Sequence, residues 1–172
     1  MDNIKLTQTK KFLKGQLLLK QGEVSTVGFK VNKGCLKSYV LDQSGKEHIL
    51  QFAPENWLVA DLDSLTNKVP SLIFIEAIED TDVSIATFSD YEDIYALEKD
   101  FIAEMAIKFR NNLIASNKRI IGLLSSTAEQ RYIAFTETYP TLVQRLPLKL
   151  IAAYIGITPE YLSEIRRKIA QR

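Results

Sequence analysis

The sequence predicts an α+β fold in which a β sandwich or barrel comes first, one long helix follows, and an all-α unit ends in a helix-turn-helix. Three observations predict it. Short β-rich runs separated by turn signals fill residues 11–88, apolar residues recur at helical spacing from about Asp100 to Leu124, and two short amphipathic helices meet at a glycine between Leu146 and Lys168. The 172 residues suit one large or two small domains, with 46% hydrophobic and 25% charged residues as in ordinary globular proteins.

The β-rich part is punctuated by glycine. Leu17-Leu18-Leu19 runs into Gln21-Gly22-Glu23, Val27 to Val31 into Asn32-Lys33-Gly34, and Leu36 to Leu41 into Asp42-Gln43-Ser44-Gly45-Lys46. Glu47 to Phe52 then runs to Pro54, and Leu72 to Ile78 and Val83 to Phe88 add two further strands. Runs this short and evenly spaced belong to a sandwich or barrel, with Gly15, Gly22, Gly34 and Gly45 where the chain must turn.

Ser89 is placed to cap a helix over Tyr91 to Leu97. In the long helix after it, Ile102, Ala106, Phe109, Leu113, Ser116, Ile120 and Leu123 step by four and three, the spacing of a coiled-coil seam that only Ser116 interrupts. Phe101, Met105, Ile114 and Ile121 form a second stripe for packing on the β domain, which leaves the first to pair with its copy in a parallel dimer. Both stripes serving the core of one subunit is the other reading. Ser125-Ser126-Thr127-Ala128-Glu129 reads as a break and restart, with Ser126 and Glu129 placed as a capping box. The chain therefore divides into residues 1–98, the long helix 99–125 and residues 126–172. A helix from Thr127 to Thr138 and a short connecting helix from Thr141 to Arg145 are expected next.

Pro147 suits a first helical position, because its locked φ is helical and its missing N–H has no partner to lose there. Leu148, Ile151, Ala152 and Ile155 follow at helical spacing, Gly156 ends the helix, and Thr158-Pro159 caps and starts the next. Leu162, Ile165 and Ile169 face the first helix, while Glu160, Ser163, Glu164, Arg167 and Lys168 point away. Two helices, a three-residue glycine-containing turn and a basic second helix describe a DNA-reading helix-turn-helix. A plain helical hairpin is the alternative, and charge separates the two. From Arg145 onward six Lys and Arg residues face only Glu160 and Glu164, a net of +4 in a chain of +1, so the preceding residues carry −3. Positive charge is gathered where phosphates would be met.

Other chemistry is poorly supplied. A single cysteine, Cys35, excludes an internal disulfide and cannot hold a four-thiolate iron–sulfur cluster. A single histidine, His48, argues against a zinc or iron site built on several imidazoles. No cofactor and no metal are expected. No Ser-His-Asp set or phosphate-cradling glycine loop is visible, no apolar run approaches the roughly 18 residues of a membrane span, and Met1 to Lys5 lacks the apolar core of a secretory signal. A cytoplasmic protein without membrane association is the expectation.

This order of elements resembles the Crp/Fnr family of bacterial transcription regulators, and specific runs carry the likeness. Lys14 to Glu23 is similar to the family's first strands, Val31 to Lys37 to its next turn, and Ser126 to Tyr132 to its hinge. Ala153-Tyr154-Ile155-Gly156-Ile157-Thr158-Pro159-Glu160-Tyr161-Leu162-Ser163-Glu164-Ile165-Arg166 is close to the reading motif of Bacteroidetes-type members. The resemblance implies an N-terminal β-roll or jelly-roll sensor of the cyclic-nucleotide-binding kind, a long dimerisation helix and a C-terminal DNA-binding domain. It implies a homodimer on double-stranded DNA, with RNA polymerase as a further partner and a small-molecule effector that the sequence does not name.

In members that bind cyclic nucleotide, a Gly-Glu-Leu run holds the ribose and an Arg-Ser pair the phosphate. Here these regions read Val59-Ala60-Asp61-Leu62 and Pro70-Ser71, with Asn112 and Leu113 at the level of the purine. Asp61, Leu62, Ser71 and Asn112 are thus the effector-pocket positions. Proline brings neither charge nor N–H to a phosphate, so an anionic ligand lacks its main counter-charge and cyclic nucleotide is not expected. Another ligand is used, or none.

On the reading helix, Glu160 matches a family glutamate that reads bases, and Glu164 stands where many members carry a guanine-reading arginine. Glu164 can accept from cytosine N4 but repels phosphate. Thr158, Tyr161, Ser163, Arg167 and Lys168 suit DNA backbone or base edges, and Lys149 and Arg166 suit phosphates. No β-rich wing is expected after Lys168. Two other functions compete: a ligand-binding or protein-interaction module with a vestigial helix-turn-helix, and a cupin-like enzyme, which needs more histidines than one.

Overall fold

Glycine turns and alternating burial build the first half of the chain. The computed structural model describes residues 6–87 and 99–171. The helix expected over Tyr91–Leu97, with its cap Ser89, lies outside the described residues. Eight strands form among the described residues: β1 (Leu6–Phe12), β2 (Leu17–Leu19), β3 (Val27–Lys33), β4 (Leu36–Leu41), β5 (Glu47–Ala53), β6 (Leu58–Val59), β7 (Phe74–Ala77) and β8 (Thr81–Thr87). They make two four-stranded sheets in the orders β1-β8-β3-β6 and β2-β7-β4-β5. Gly15, Gly22, Gly34 and Gly45 all have positive φ, as their turns require. At Gly34 a side chain is also excluded by space, since a Cβ there would lie 2.6 Å from Asp80 O.

Register sorts the side chains. Val31 opposite Val83 and Leu36 opposite Ala77 place apolar residues on the inner faces, where Val31, Leu36, Ile75, Ala77 and Val83 are wholly buried. Each large aliphatic side chain so buried contributes about 1.5–3 kcal/mol. On the other face of the second sheet Lys37 is opposite Glu76 and Tyr39 opposite Phe74. Lys37 Nζ lies 3.4 Å from Glu76 Oε2 and 4.3 Å from the Tyr39 ring centre, so this buried ammonium has both an ionic and an aromatic partner.

Three elements were not anticipated: β1, the two-residue β6, and a short helix α1 (Leu62–Asn67) capped by Asp61, whose carboxylate accepts from Ser64 N at 3.1 Å. The strand expected over Leu72–Ile78 is confined to Phe74–Ala77.

Among the described residues four longer helices follow: α2 (Lys99–Ser125), α3 (Ala128–Thr138), α4 (Leu148–Ile155) and α5 (Pro159–Ala170). Contacts group the chain into two units, one containing Leu50–Asn112 together with the residues up to Val40, the other Leu41–Ile49 and Leu113–Arg172. In the first unit α2 is fastened by polar contacts. Lys108 Nζ donates to Asn56 O at 2.8 Å, Asn112 Nδ2 to Leu58 O at 3.1 Å, and Lys30 Nζ meets Glu104 Oε1 at 3.1 Å. The Lys30 hydrogen bond holds the Glu104 carboxyl below its ordinary range. Of the second apolar stripe only Met105 is buried; Ile114 and Ile121 are exposed, and the side chain of Phe101 lies outside the described residues. The stripe expected to seat α2 on the β domain is therefore replaced by lysine and asparagine bonds to backbone carbonyls.

The second unit has its own core of Phe135, Leu142, Ile151 and Leu162, with Phe135, Tyr139 and Tyr154 in mutual ring contact at 5.4–5.7 Å. Its Leu41–Ile49 segment turns on Asp42, which accepts from the Ser44 hydroxyl, from His48 Nε2 at 2.8 Å and from the Lys46 N–H. The Ser44 bond, then that of His48, holds the Asp42 carboxyl well below the usual carboxylate range. Three local expectations shift. The capping box is Thr127 with Gln130 rather than Ser126 with Glu129, because Ser126 N still donates to Gly122 O at the end of α2. The expected Thr141–Arg145 helix is a series of turns, with Leu142 N bonded to Tyr139 O and Arg145 N to Leu142 O. Pro147 is the residue before the first helical position of α4, with extended ψ of 140° and its carbonyl accepting from Leu150 N at 2.9 Å.

Candidate nucleic-acid interface

The α4–α5 hairpin follows from its sequence chemistry. Gly156 adopts φ +76°, and the N–H groups of Gly156 and Ile157 both turn back to Ala152 O, at 2.9 and 3.0 Å. Thr158 then caps α5, its hydroxyl accepting from Tyr161 N at 3.3 Å, and Pro159 takes the first helical position. Leu162 and Ile165 are buried, so one face of α5 is fixed against the unit's core.

The opposite face is exposed. Thr158, Glu160, Tyr161, Ser163, Glu164, Arg166, Arg167 and Lys168 are all exposed, as is Lys149 on α4. Glu160, Glu164 and Arg167 fall on one line of the helix at spacings of four and three, with Tyr161 and Lys168 beside them. The Ser163 hydroxyl donates to Pro159 O at 2.9 Å, which leaves its lone pairs as acceptors only. Arg167 and Lys168 sit in the last turn of α5, where the helix dipole favours cations.

Two arginines that the sequence reading passed over complete this unit. Arg119 of α2 and Arg131 of α3 donate to Tyr154 O and Ile155 O, the last two carbonyls of α4. Burial holds the Arg119 guanidinium below its ordinary value and pushes the Tyr154 phenol up. The one sequence signal for this arrangement is that α4 carries no basic residue in its last turn to face its negative end.

The effector-pocket positions all lie in the first unit. Asp61 and Ser71 come together, Ser71 Oγ donating to Asp61 Oδ2 at 2.7 Å, with Ser71 buried. Leu62 is half exposed, and Asn112 is engaged with Leu58 O rather than with either of them. Along the expected seam Ile102, Ala106, Leu113, Ser116, Ile120 and Leu123 are exposed and Phe109 half-buried. Part of Leu123 serves the hairpin, its Cδ2 lying 3.3 Å from where a Cβ on Gly156 would stand. Ile107, Ile114, Ile121 and Leu124 widen the exposed apolar surface of α2, Leu124 to 83%.

No protein-family model matches the chain. Its sequence is 28% identical over 181 residues to an anaerobic regulatory protein of Aggregatibacter actinomycetemcomitans, covering 96% of this chain and 67% of that protein. An anaerobic regulatory protein of Haemophilus influenzae matches at the same identity and coverage, and the fumarate and nitrate reduction regulatory protein of Yersinia pestis at 29% over 78% of this chain and 53% of its own. The fold is that of FixK2 from Bradyrhizobium japonicum (TM-score 0.77, 19% identity, 95% of this chain and 84% of that one). It is equally that of a CRP/FNR-family transcriptional regulator from Thermus thermophilus (TM-score 0.71, 16% identity, 95% and 86%). Its sequence relatives are thus bacterial regulatory proteins, and its fold is the one seen in regulators of the Crp/Fnr family.

Proposed function

We propose that the protein is a dimeric, sequence-specific transcription regulator that places one α5 in the major groove of each DNA half-site. The observation that carries the reading is α5 itself, seated on buried Leu162 and Ile165 and presenting Glu160, Tyr161, Glu164, Arg167 and Lys168 outward. Glu160 and Glu164 are acceptors for cytosine N4, and Arg166, Arg167, Lys168 and Lys149 neutralise phosphates. The exposed apolar stripe of α2 is the dimer contact, which sets two reading helices about one turn of DNA, roughly 34 Å, apart. The regulator works in the cytoplasm, with RNA polymerase as the partner through which bound DNA is read out. Its sensor does without cyclic nucleotide, since Pro70 brings no counter-charge and the Asp61 and Ser71 side chains are bonded to one another.

Selection from a random DNA pool tests this. A pseudo-palindrome with half-sites about 10 base pairs apart is expected. Arg166→Ala with Arg167→Ala, which removes two arginines from each subunit, then lowers affinity for that site at least about tenfold and flattens the dependence of log K on log salt by about four units. Unchanged affinity and slope in the double variant would remove α5 from the role of reading element.

A further inference from the structure

Arg119 is bound in an unusual way for a cation on a long helix. Its Nε and Nη2 donate to Tyr154 O at 3.2 and 3.0 Å, and the same Nη2 donates to Ile49 O at 2.6 Å. The guanidinium lies over the Tyr154 ring, 4.5 Å from its centre. Its partners among the described residues are thus carbonyl oxygens and an aromatic face. Arg131 reinforces the same end of α4, with Nε on Ile155 O at 2.8 Å and Nη1 on Ser126 O at 2.7 Å. A helix leaves its last carbonyls without intrahelical partners, and α4 supplies no cation of its own there. Both cations that face its negative end come from other helices.

A planar fork shared between two carbonyls and stacked on a ring fixes direction as well as distance, which a lysine or a water bridge does not. Tyr154 is followed by only Ile155 and the three-residue turn Gly156-Ile157-Thr158 before α5 begins. The orientation given to the end of α4 therefore passes to the reading helix through a turn that two N–H groups lock onto Ala152 O.

We propose that Arg119 is a positioning residue for DNA reading: by holding Tyr154 O against α2 it sets the angle of α4–α5, and with it the half-site spacing that the dimer accepts. The inference rests on the dimeric DNA-reading function proposed above. It separates two properties that a mere loss of folding would lower together. The bases within a half-site are read by α5 side chains that Arg119 does not touch, whereas the distance between half-sites depends on how each α5 is aimed.

The test is selection from a DNA pool in which two half-sites are separated by every spacing from none to several base pairs, run on the full chain and on Arg119→Gln and Arg119→Lys, with thermal unfolding of each. The wild type is expected to select one spacing. Arg119→Gln keeps the same half-site bases, accepts at least one neighbouring spacing, and binds the wild-type optimum about tenfold more weakly, the scale of a lost charge-assisted hydrogen bond. Arg119→Lys falls between, because one ammonium cannot span Tyr154 O and Ile49 O while stacking. A single wild-type spacing in both variants overturns the inference alone; if Arg119→Gln does not fold, a wild-type spacing profile in Arg119→Lys does the same. A wild-type protein that selects no paired motif overturns the proposed function itself.

Discussion

The turn between α4 and α5 depends on one residue that has no side chain. At φ +76° an L-residue pays roughly 1–2 kcal/mol for the crowding of its Cβ, and here that Cβ would also press on Leu123 Cδ2 at 3.3 Å. Gly156→Ala is expected to destabilise the protein by about 1–2 kcal/mol in denaturant midpoints, and Gly156→Asn by less, since asparagine tolerates this conformation better. Equal stability of the alanine variant and the wild type would contradict the geometry. Gly156, Thr158 and Pro159 were legible in the sequence because each acts on its own backbone. Arg119 and Arg131 were not, because a guanidinium that bonds a carbonyl 35 or 24 residues away leaves no periodic trace. Asp61 was legible as a position but not as a partner of Ser71, ten residues on.

At the scale of elements, periodicity was readable where a helix is long and amphipathic, as in α2, and misleading where two signatures overlap. Ser126-Thr127-Ala128-Glu129-Gln130 offers two capping boxes one residue apart, and only the last hydrogen bond of α2 decides between them. Elements too short to have a period, α1 and β6, could not be seen at all, and the segment after Pro140 closes as turns, Leu142 N on Tyr139 O and Arg145 N on Leu142 O, rather than as the expected helix. The apolar stripe of α2 was legible as a stripe, but its breadth was not, because Lys108 and Asn112 do the seating that Ile114 and Ile121 were expected to do. That breadth leads to a prediction. Leu113 and Ile120 are 62% and 52% exposed within one chain, so Leu113→Glu with Ile120→Glu removes little from its core. The double variant is expected to keep its helical circular dichroism and to sediment at half the wild-type mass at micromolar concentration, because like charges at a helix seam repel. A variant that stays dimeric would place the subunit contact elsewhere than on this stripe.

At the scale of the whole molecule, binding energy must appear as stability. A ligand that binds only the folded protein raises its unfolding free energy by about 2.7 kcal/mol at one hundred times its dissociation constant. In a chain of 172 residues each kcal/mol moves the thermal midpoint by about 2–4 °C. Cyclic AMP at millimolar concentration would therefore lift the midpoint by more than about 5 °C if it bound with micromolar affinity. No shift beyond about 1 °C is expected here. Pro70 brings no positive charge or N–H to a phosphate, and the Asp61 carboxylate already accepts from Ser64 N and from the Ser71 hydroxyl. A nucleotide phosphate would have to approach that carboxylate without the arginine that offsets such repulsion in cyclic-nucleotide-binding members. Pro70→Arg provides the counter-test in the same measurement. If the missing guanidinium is what excludes the ligand, the variant gains a cyclic-nucleotide-dependent shift that the wild type lacks. A large shift in the wild type would mean that the bond between Asp61 and Ser71 opens to admit the nucleotide.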